Sequence, residues 1–405
     1  MKKLRRERFL VLPETREVQI SGRPGKVGLV LSGGGARGAY QAGVVKAIAT
    51  IAQKLKTANP LPILTGVSAG AVNSAFLASK ADDFMKATEE LAAMWSKITA
   101  DQVFRTDIFA AGRSGLRLIT DATLGALYKK KLSRSLLDTS PLSAFLEEKI
   151  QFQRIDRNIE AGHIDSLAVT ATNYMNALSI TFVHGRPDTP MWTRSRRMSQ
   201  LTPIRKEHIM ASSAIPLFFP PVKVGSEHYG DGCLRNNAPL SPAIHLGANR
   251  LIVVSVRRPD NRTPGADNSI EPTFARVLGV ILNALLLDSI ETDMERLSRI
   301  NSTLSYVPQK QKAELALREI DFLWLRPSQD IGQLAGELFH RLPQVIRYLV
   351  SGLGSSREAA ELTSYLLFDP DFCGQLVHMG YEDAMAEKDK IEYFLTGQTG
   401  SPSWG

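Results

Sequence analysis

Three residue groups in this chain could together carry out acyl transfer. Ser68 lies at the centre of Gly66-Val67-Ser68-Ala69-Gly70, a Gly-x-Ser-x-Gly pattern in which the serine hydroxyl serves as nucleophile. Glycines on both sides let the chain turn sharply and let neighbouring backbone come close, so the hydroxyl can project from a strand-to-helix elbow. Upstream, Ser32-Gly33-Gly34-Gly35-Ala36-Arg37-Gly38 leaves a run of backbone amides uncovered by side chains, and such a run can cradle an anion. Downstream, Asp231 stands between Gly230 and Gly232, in a predicted loop where its carboxylate can be aimed freely. Asp-Gly is also an ordinary turn signal.

The glycine run has a rival reading. Gly33, Gly35 and Gly38 satisfy Gly-x-Gly-x-x-Gly, the dinucleotide fingerprint, which calls for an acidic residue about 20 positions on to hold the ribose. Between Arg37 and Asp82 there is no Asp or Glu. The next predicted strand delivers Ser68 instead, which favours an oxyanion hole serving a nucleophile. A Walker-type phosphate loop fails for want of Gly-Lys-Ser/Thr. A serine nucleophile also needs a base, usually histidine. His245, His340 and His378 follow Ser68 in the chain, but His245 and His340 fall inside helical patterns, so the residues alone leave the base open.

The elements that must hold these groups are legible from hydrophobic patterning. Val27–Leu31 reads as a buried strand running into the glycine turn, and residues 39–55 read as a helix after it. Leu61–Leu64 reads as the strand before Ser68, with a helix starting at Ala69. Residues 80–162 have a helical, charge-rich texture that suits an insertion or lid. Strands are predicted at Leu167–Thr172, Ser179–Val183, Leu251–Val256 and Phe322–Leu325, and helices around Ile204–Ser213, Ala243–Leu246, Glu271–Ile300, Leu334–Leu349 and Arg357–Leu367. The division expected is a basic leader at 1–25, a catalytic domain at 26–258, a mostly helical region at 259–395 and a disordered tail at 396–405.

Composition narrows the class. The chain has 405 residues, 43% hydrophobic and 22% charged, as in an ordinary globular protein. Its two cysteines, Cys233 and Cys373, exclude a disulfide framework and suit a reducing, cytoplasmic compartment. No metal or cofactor is implied. The apolar run Phe9–Leu12 is too short for a signal peptide, and Val277–Leu287 is too short to span a membrane. A net charge of +8 suits an anionic surface, so peripheral membrane contact is an expectation. The basic residues fall in three groups: the first 26 residues, Arg105 to Arg134, and Arg194, Arg196 and Arg197 beside Trp192. No nucleic-acid motif is present.

Four separated signatures, SGGGARGAYQAGV, GVSAGAVN, ASSAIPLFFPPV and YGDGCLRNNAPLSPAIHLGANRLIVVSV, occur in an order that resembles the patatin-like phospholipase family. The resemblance covers about Lys26 to Arg257. It implies an α/β fold of three layers, α/β/α, with a mainly parallel central sheet, and lipid or phospholipid acyl esters as substrates. It also implies a Ser-Asp dyad that works without histidine. Ser68 would then be the nucleophile and Asp231 the base, and the amides of Gly33, Gly34, Gly35, Ala36, Arg37 and Gly38 would form the oxyanion hole, with Gly66 and Gly70 shaping the elbow. The chain departs from the family pattern in Asp-Gly-Cys, where Gly or Ala usually follows Asp-Gly, and in Ser32, where an acid often precedes the glycines. Cys233 reads as packing. A carboxylate near pKa 4 is a weak base towards an alcohol, so Asp231 must be held close to Ser68 and partly desolvated. The competing class is a catalytically silent lipid-binding protein on the same fold.

Overall fold

The computed structural model describes residues 18–19, 25–57, 59–105, 135–258, 274–312, 314–315, 317–351 and 359–396. Its strands are β1 (Val18–Gln19), β2 (Val27–Leu31), β3 (Ile63–Val67), β4 (Ser166–Asn173), β5 (Ser179–Gly185), β6 (Thr193–Arg194), β7 (Arg197–Leu201), β8 (Val222–Val224), β9 (Glu227–Asp231), β10 (Arg250–Val254) and β11 (Asp321–Leu325). Helices α1 (Gly38–Lys54), α2 (Ala69–Ser79), α3 (Phe84–Trp95), α4 (Ser140–Lys149), α5 (Phe152–Glu160), α6 (Lys206–Ser212) and α7 (Ser241–His245) belong to the first part of the chain. Helices α8 (Phe274–Leu286), α9 (Asp288–Ser305), α10 (Gln309–Lys312), α11 (Ile331–Glu337), α12 (Gln344–Ser351), α13 (Ala360–Leu366), α14 (Pro370–Ala386) and α15 (Lys388–Thr396) follow.

The strands form one sheet in the order β1-β11-β10-β2-β3-β4-β5-β7-β6. From β11 to β4 every neighbouring pair is parallel. Each of β2, β3, β10 and β11 is buried along its whole length, which is why VGLVL, ILTGV, RLIVV and DFLWL are nearly continuous apolar runs rather than alternating ones. Helices cover both faces. One core cluster lies under α1, α2, α3 and α14, and a second lies under α7 and α9. The chain is therefore α/β, with a central parallel sheet between helical layers.

One detail of register matters most for the site. β3 runs parallel along β4 and ends with Val67 opposite Thr170. β9 runs antiparallel along the same edge and ends with Asp231 opposite Ala171, the next residue of β4. Two strands from distant parts of the chain thus meet head to head on one edge, with Ser68 just past the tip of one and Asp231 at the tip of the other.

Several expectations need correction. Asp231 is the last residue of a strand and not a loop residue; pairing to β4 fixes its backbone where two glycines suggested freedom. The strand before Ser68 is shifted to Ile63–Val67, because pairing with β2 and β4 extends it beyond its apolar start. The predicted helix at residues 271–300 is two helices, broken at Leu287. Three further helices, α10, α14 and α15, had no counterpart in the sequence reading, and β11 brings residues 321–325 into the central sheet beside β10. Helices α3, α4 and α5 fall within residues 80–162; residues 106–134 of that stretch, most of the leader and the tail from 397 lie outside the described residues.

Candidate active site

Ser68 occupies a strained turn. Its φ of 54° and ψ of −125° lie where side chains are disfavoured, at a cost of about 1–3 kcal/mol. The neighbours enforce it. A Cβ on Gly66 would run into the Gly70 carbonyl, and one on Gly70 would run into the Leu31 carbonyl, so only glycine lets β3 turn into α2 this tightly. The Ser68 carbonyl accepts from the amides of Ala71 (2.9 Å) and Val72 (3.2 Å), opening α2. Its own amide donates to the Ser212 hydroxyl at 3.0 Å, and that hydroxyl donates to the Thr170 carbonyl at 2.7 Å. Ser212 was missed as a site residue. It sits in the ASSA signature, but nothing in helical spacing marks it as a brace for the elbow.

Asp231 is wholly buried, at 0% exposure. Its backbone is held twice over: the amide donates to the Ala214 carbonyl at 3.0 Å, and the carbonyl accepts from the Thr172 hydroxyl at 2.8 Å. One carboxylate oxygen, Oδ1, accepts from the Cys233 amide at 2.9 Å. The other, Oδ2, has no partner at full hydrogen-bond length, although the Ser68 hydroxyl faces the carboxyl closely enough to act on it. Burial raises the carboxyl from an ordinary 3.8 to about 6, and the Cys233 amide, the Ser68 hydroxyl and the Cys233 thiol offset only part of that rise. The cause is desolvation of the charged form.

Cys233 is buried against the same spot. A Cβ on Gly33 would come within 2.5 Å of its sulfur and 3.2 Å of the Ser68 Cβ, so glycine loop, nucleophile and thiol share one point of contact. Burial, then the nearby Asp231, pushes the thiol well above its ordinary pKa. It stays protonated and packs the site rather than reacting.

The glycine loop itself turns through Gly34 (φ 153°) and Gly35 (φ 57°). The Arg37 amide donates back to the Gly34 carbonyl at 3.2 Å, and the Gly38 amide turns towards the carbonyls of Ala36 and Gly35. Gly38 packs on Ala69, where a Cβ would approach to 2.7 Å. The Arg37 side chain points away from Ser68. It is buried, ion-paired with Glu361, hydrogen-bonded through Nε to the Ser364 hydroxyl at 2.8 Å, and stacked over Tyr365 with its guanidinium carbon 4.6 Å from the ring centre. A Cβ on Gly35 would collide with the Tyr365 carbonyl. Helix α13 therefore backs the loop, and no sequence signal near Glu361 announces it.

Beside Ser68 lies a narrow cavity of about 40 Å³ among Val72, Met94, Trp95, Phe145, Phe219 and Phe368. Among the described residues its hydroxyl-bearing side chains are those of Ser68 and Ser213. Such a lining suits an acyl chain, and at this width it would have to widen to take one, since the volume matches only a few water molecules. Among the described residues no histidine borders it. His245 stacks on Trp192, 4.8 Å between ring centres. Among the described residues no group of His, Cys, Asp and Glu could hold a metal ion, and no helix is long and apolar enough to cross a membrane.

The family model for Patatin-like phospholipase matches residues 29–244. No curated protein matches. Among solved structures, VipD from Legionella pneumophila is 13% identical with a TM-score of 0.32, covering 94% of this chain and 72% of that one. The type III effector protein ExoU is 14% identical with a TM-score of 0.35, and the match covers 91% of this chain but only 54% of ExoU.

Proposed function

Because the chain belongs to the patatin-like phospholipase family, we propose that it hydrolyses lipid acyl esters with Ser68 as nucleophile and Asp231 as base. The observation that carries this reading is the head-to-head meeting of β3 and β9 on β4, with Val67 and Asp231 opposite the consecutive residues Thr170 and Ala171. That register sets a strained serine against a buried carboxylate with an unpartnered oxygen. Ser68 Oγ attacks the ester carbonyl carbon while Asp231 Oδ2 takes the hydroxyl proton. The amides of Gly34 and Gly35, the latter lining the cavity beside Ser68, donate to the oxyanion; those of Arg37 and Gly38 are turned into the loop. The intermediate collapses, the carbon–oxygen bond to the alcohol breaks, and Asp231 returns its proton to that oxygen. Water, deprotonated by the same carboxylate, then attacks the acyl carbon; the bond to Ser68 Oγ breaks, Asp231 returns the proton to Oγ, and the fatty acid leaves.

Desolvation makes this base stronger than an ordinary aspartate. The pH dependence has a definite sign: Asp231 must be ionised to accept the proton, so activity should rise with pH through a limb near its pKa of about 6. A limb near pH 4 would mean that Asp231 is solvated and not the base described. The decisive test is hydrolysis of a mixed phospholipid extract by folded Ser68→Ala and Asp231→Asn, with labelling of Ser68 by a fluorophosphonate probe. Both variants should lose about a thousandfold or more. Substantial hydrolysis by Asp231→Asn would sink the dyad, and a wild type that neither labels nor hydrolyses would make the chain a silent lipid-binding protein. The chain's charge of +8 favours anionic membranes as the surface on which it works.

A further inference from the structure

The third basic group of the sequence plays no part in the dyad, yet it builds a cavity. β6 and β7 form a tight antiparallel hairpin in which Arg194 pairs with Arg197 across Ser195 and Arg196. Arg196 and Arg197 face Arg235, four residues beyond Asp231, and Arg296 of α9 across a polar cavity of about 250 Å³ that Ser195 and Asn237 also line. Four guanidinium groups from three separate parts of the chain thus converge on one space.

Their charge is barely compensated. Asp293 is buried at the edge of the group, where its Oδ2 accepts from the Leu240 amide at 3.1 Å and its Oδ1 pairs with Arg296 at 3.1 Å. Arg235 Nε donates to the Ala177 carbonyl, a neutral acceptor, at 3.2 Å. Arg196 and Arg197 form no ion pair among the described residues, although Asp293 lies near enough to attract Arg197. A separate sign of the surplus is His245, stacked on Trp192 beside the hairpin. Burial first, and then Arg194, Arg197 and Arg318, hold its pKa below the ordinary value. Four converging arginines beside the single carboxylate of Asp293 still repel one another, and a bound anion would relieve that repulsion.

The register gives the location. Asp231 pairs with Ala171, Ala171 with Ile180 and Ile180 with Met198, so Arg197 lies next to Asp231's row, three strands away. At about 4.8 Å per strand that is roughly 14 Å. No residue lines both this cavity and the one beside Ser68, so the two are separate spaces. The apolar residues around the Ser68 cavity belong to the first core cluster, and none of the residues lining the arginine cavity does. It is therefore a second site on the edge of the sheet that carries Ser68.

We propose that this arginine cavity binds a phosphomonoester dianion, presented by a lipid headgroup or by a soluble phosphate compound. The planar fork of arginine binds phosphate oxygens bidentately, and a dianion answers more of the four positive charges than a single carboxylate would. The site goes beyond the proposed hydrolysis, because it would bind whether or not Ser68 is active.

The experiment compares Ser68→Ala protein, so that no lipid is consumed, with the same protein carrying Arg196→Gln and Arg197→Gln on the exposed hairpin. A charge-matched control carries Lys223→Gln and Arg299→Gln. Binding is measured to phosphatidylcholine vesicles containing phosphatidic acid and, at equal surface charge, phosphatidylserine; pyrophosphate is titrated separately while the melting temperature is followed. The hairpin variant should lose about tenfold or more in affinity for phosphatidic acid vesicles, the control should bind like the parent, and the parent should prefer phosphatidic acid to phosphatidylserine. If pyrophosphate raises the parent's melting temperature but not the variant's while vesicle binding is unchanged, the site takes a soluble phosphate. Equal vesicle binding by all three proteins, together with no pyrophosphate effect that depends on Arg196 and Arg197, would overturn the proposal. None of these readouts depends on turnover, so they stand apart from the test of the dyad.

Discussion

Two carboxyl groups, one buried and one partly buried, flank the glycine loop, and their surroundings drive them in opposite directions. Asp231, on the Ser68 side, is raised to about 6 because burial removes water and only weak donors replace it. For Glu361, on the far side, burial also acts upwards, but the Arg37 guanidinium more than offsets it and the pKa falls below the ordinary 4.5. Burial alone does not decide what a carboxyl does; the charge of its partner does. The unpaired acid is left basic enough to take a proton, while the paired one holds the loop from behind. The two sides also differ in origin: Asp231 lies within the stretch matched by the family model, and Glu361 lies beyond it.

The comparison can be broken most severely at the loop between the two acids. Gly35→Ala puts a Cβ at a φ of 57° and into the Tyr365 carbonyl. It should cost about 4 kcal/mol, combining backbone strain with overpacking. Chemical denaturation measures this, and a loss under 1 kcal/mol would mean that α13 does not press on the loop. Next in size is Asp231→Asn. The wild-type fold favours the protonated acid, so its penalty is absent below about pH 3.8, grows as pH rises and is complete above about 6. Asp231→Asn should therefore be more stable than wild type by up to about 3 kcal/mol at pH 8, with the gap closing towards pH 4. Equal melting temperatures at both pH values would remove the desolvation argument. The smallest effect is at Glu361, whose stabilisation is present above pH 4.5 and lost as pH falls through its lowered pKa. Because this side chain is about a third exposed, Glu361→Gln should cost about 2 kcal/mol at pH 7, less than a fully buried pair. That cost should shrink in acid, the reverse of the pH trend at Asp231. A loss independent of pH would show that the contact acts through packing alone.

What was legible in the sequence was local. The elbow from β3 through Ser68 to α2 and the glycine turn from β2 to α1 are each set by neighbours within a few residues. The apolar runs say strand, and the glycines say where the backbone must turn or pass close. Asp231 was found through a signature, with its surroundings misjudged as a free loop. Ser212, Glu361 and the partners of Arg196 and Arg197 were not legible in these roles. They act across gaps that no periodicity spans: Ser212 reaches back to Ser68, and Glu361 to Arg37.

The sequence by itself determined that a strained serine would stand at a strand tip behind a loop of bare amides, because turn geometry and glycine placement are properties of adjacent residues. Tertiary structure alone decided that Asp231 would meet it. That follows from β4 pairing on one edge with β3 and then with β9, so that strands ending at residues 67 and 231 abut. Burial at that junction, which no linear pattern encodes, is also what raises the Asp231 carboxyl to about 6.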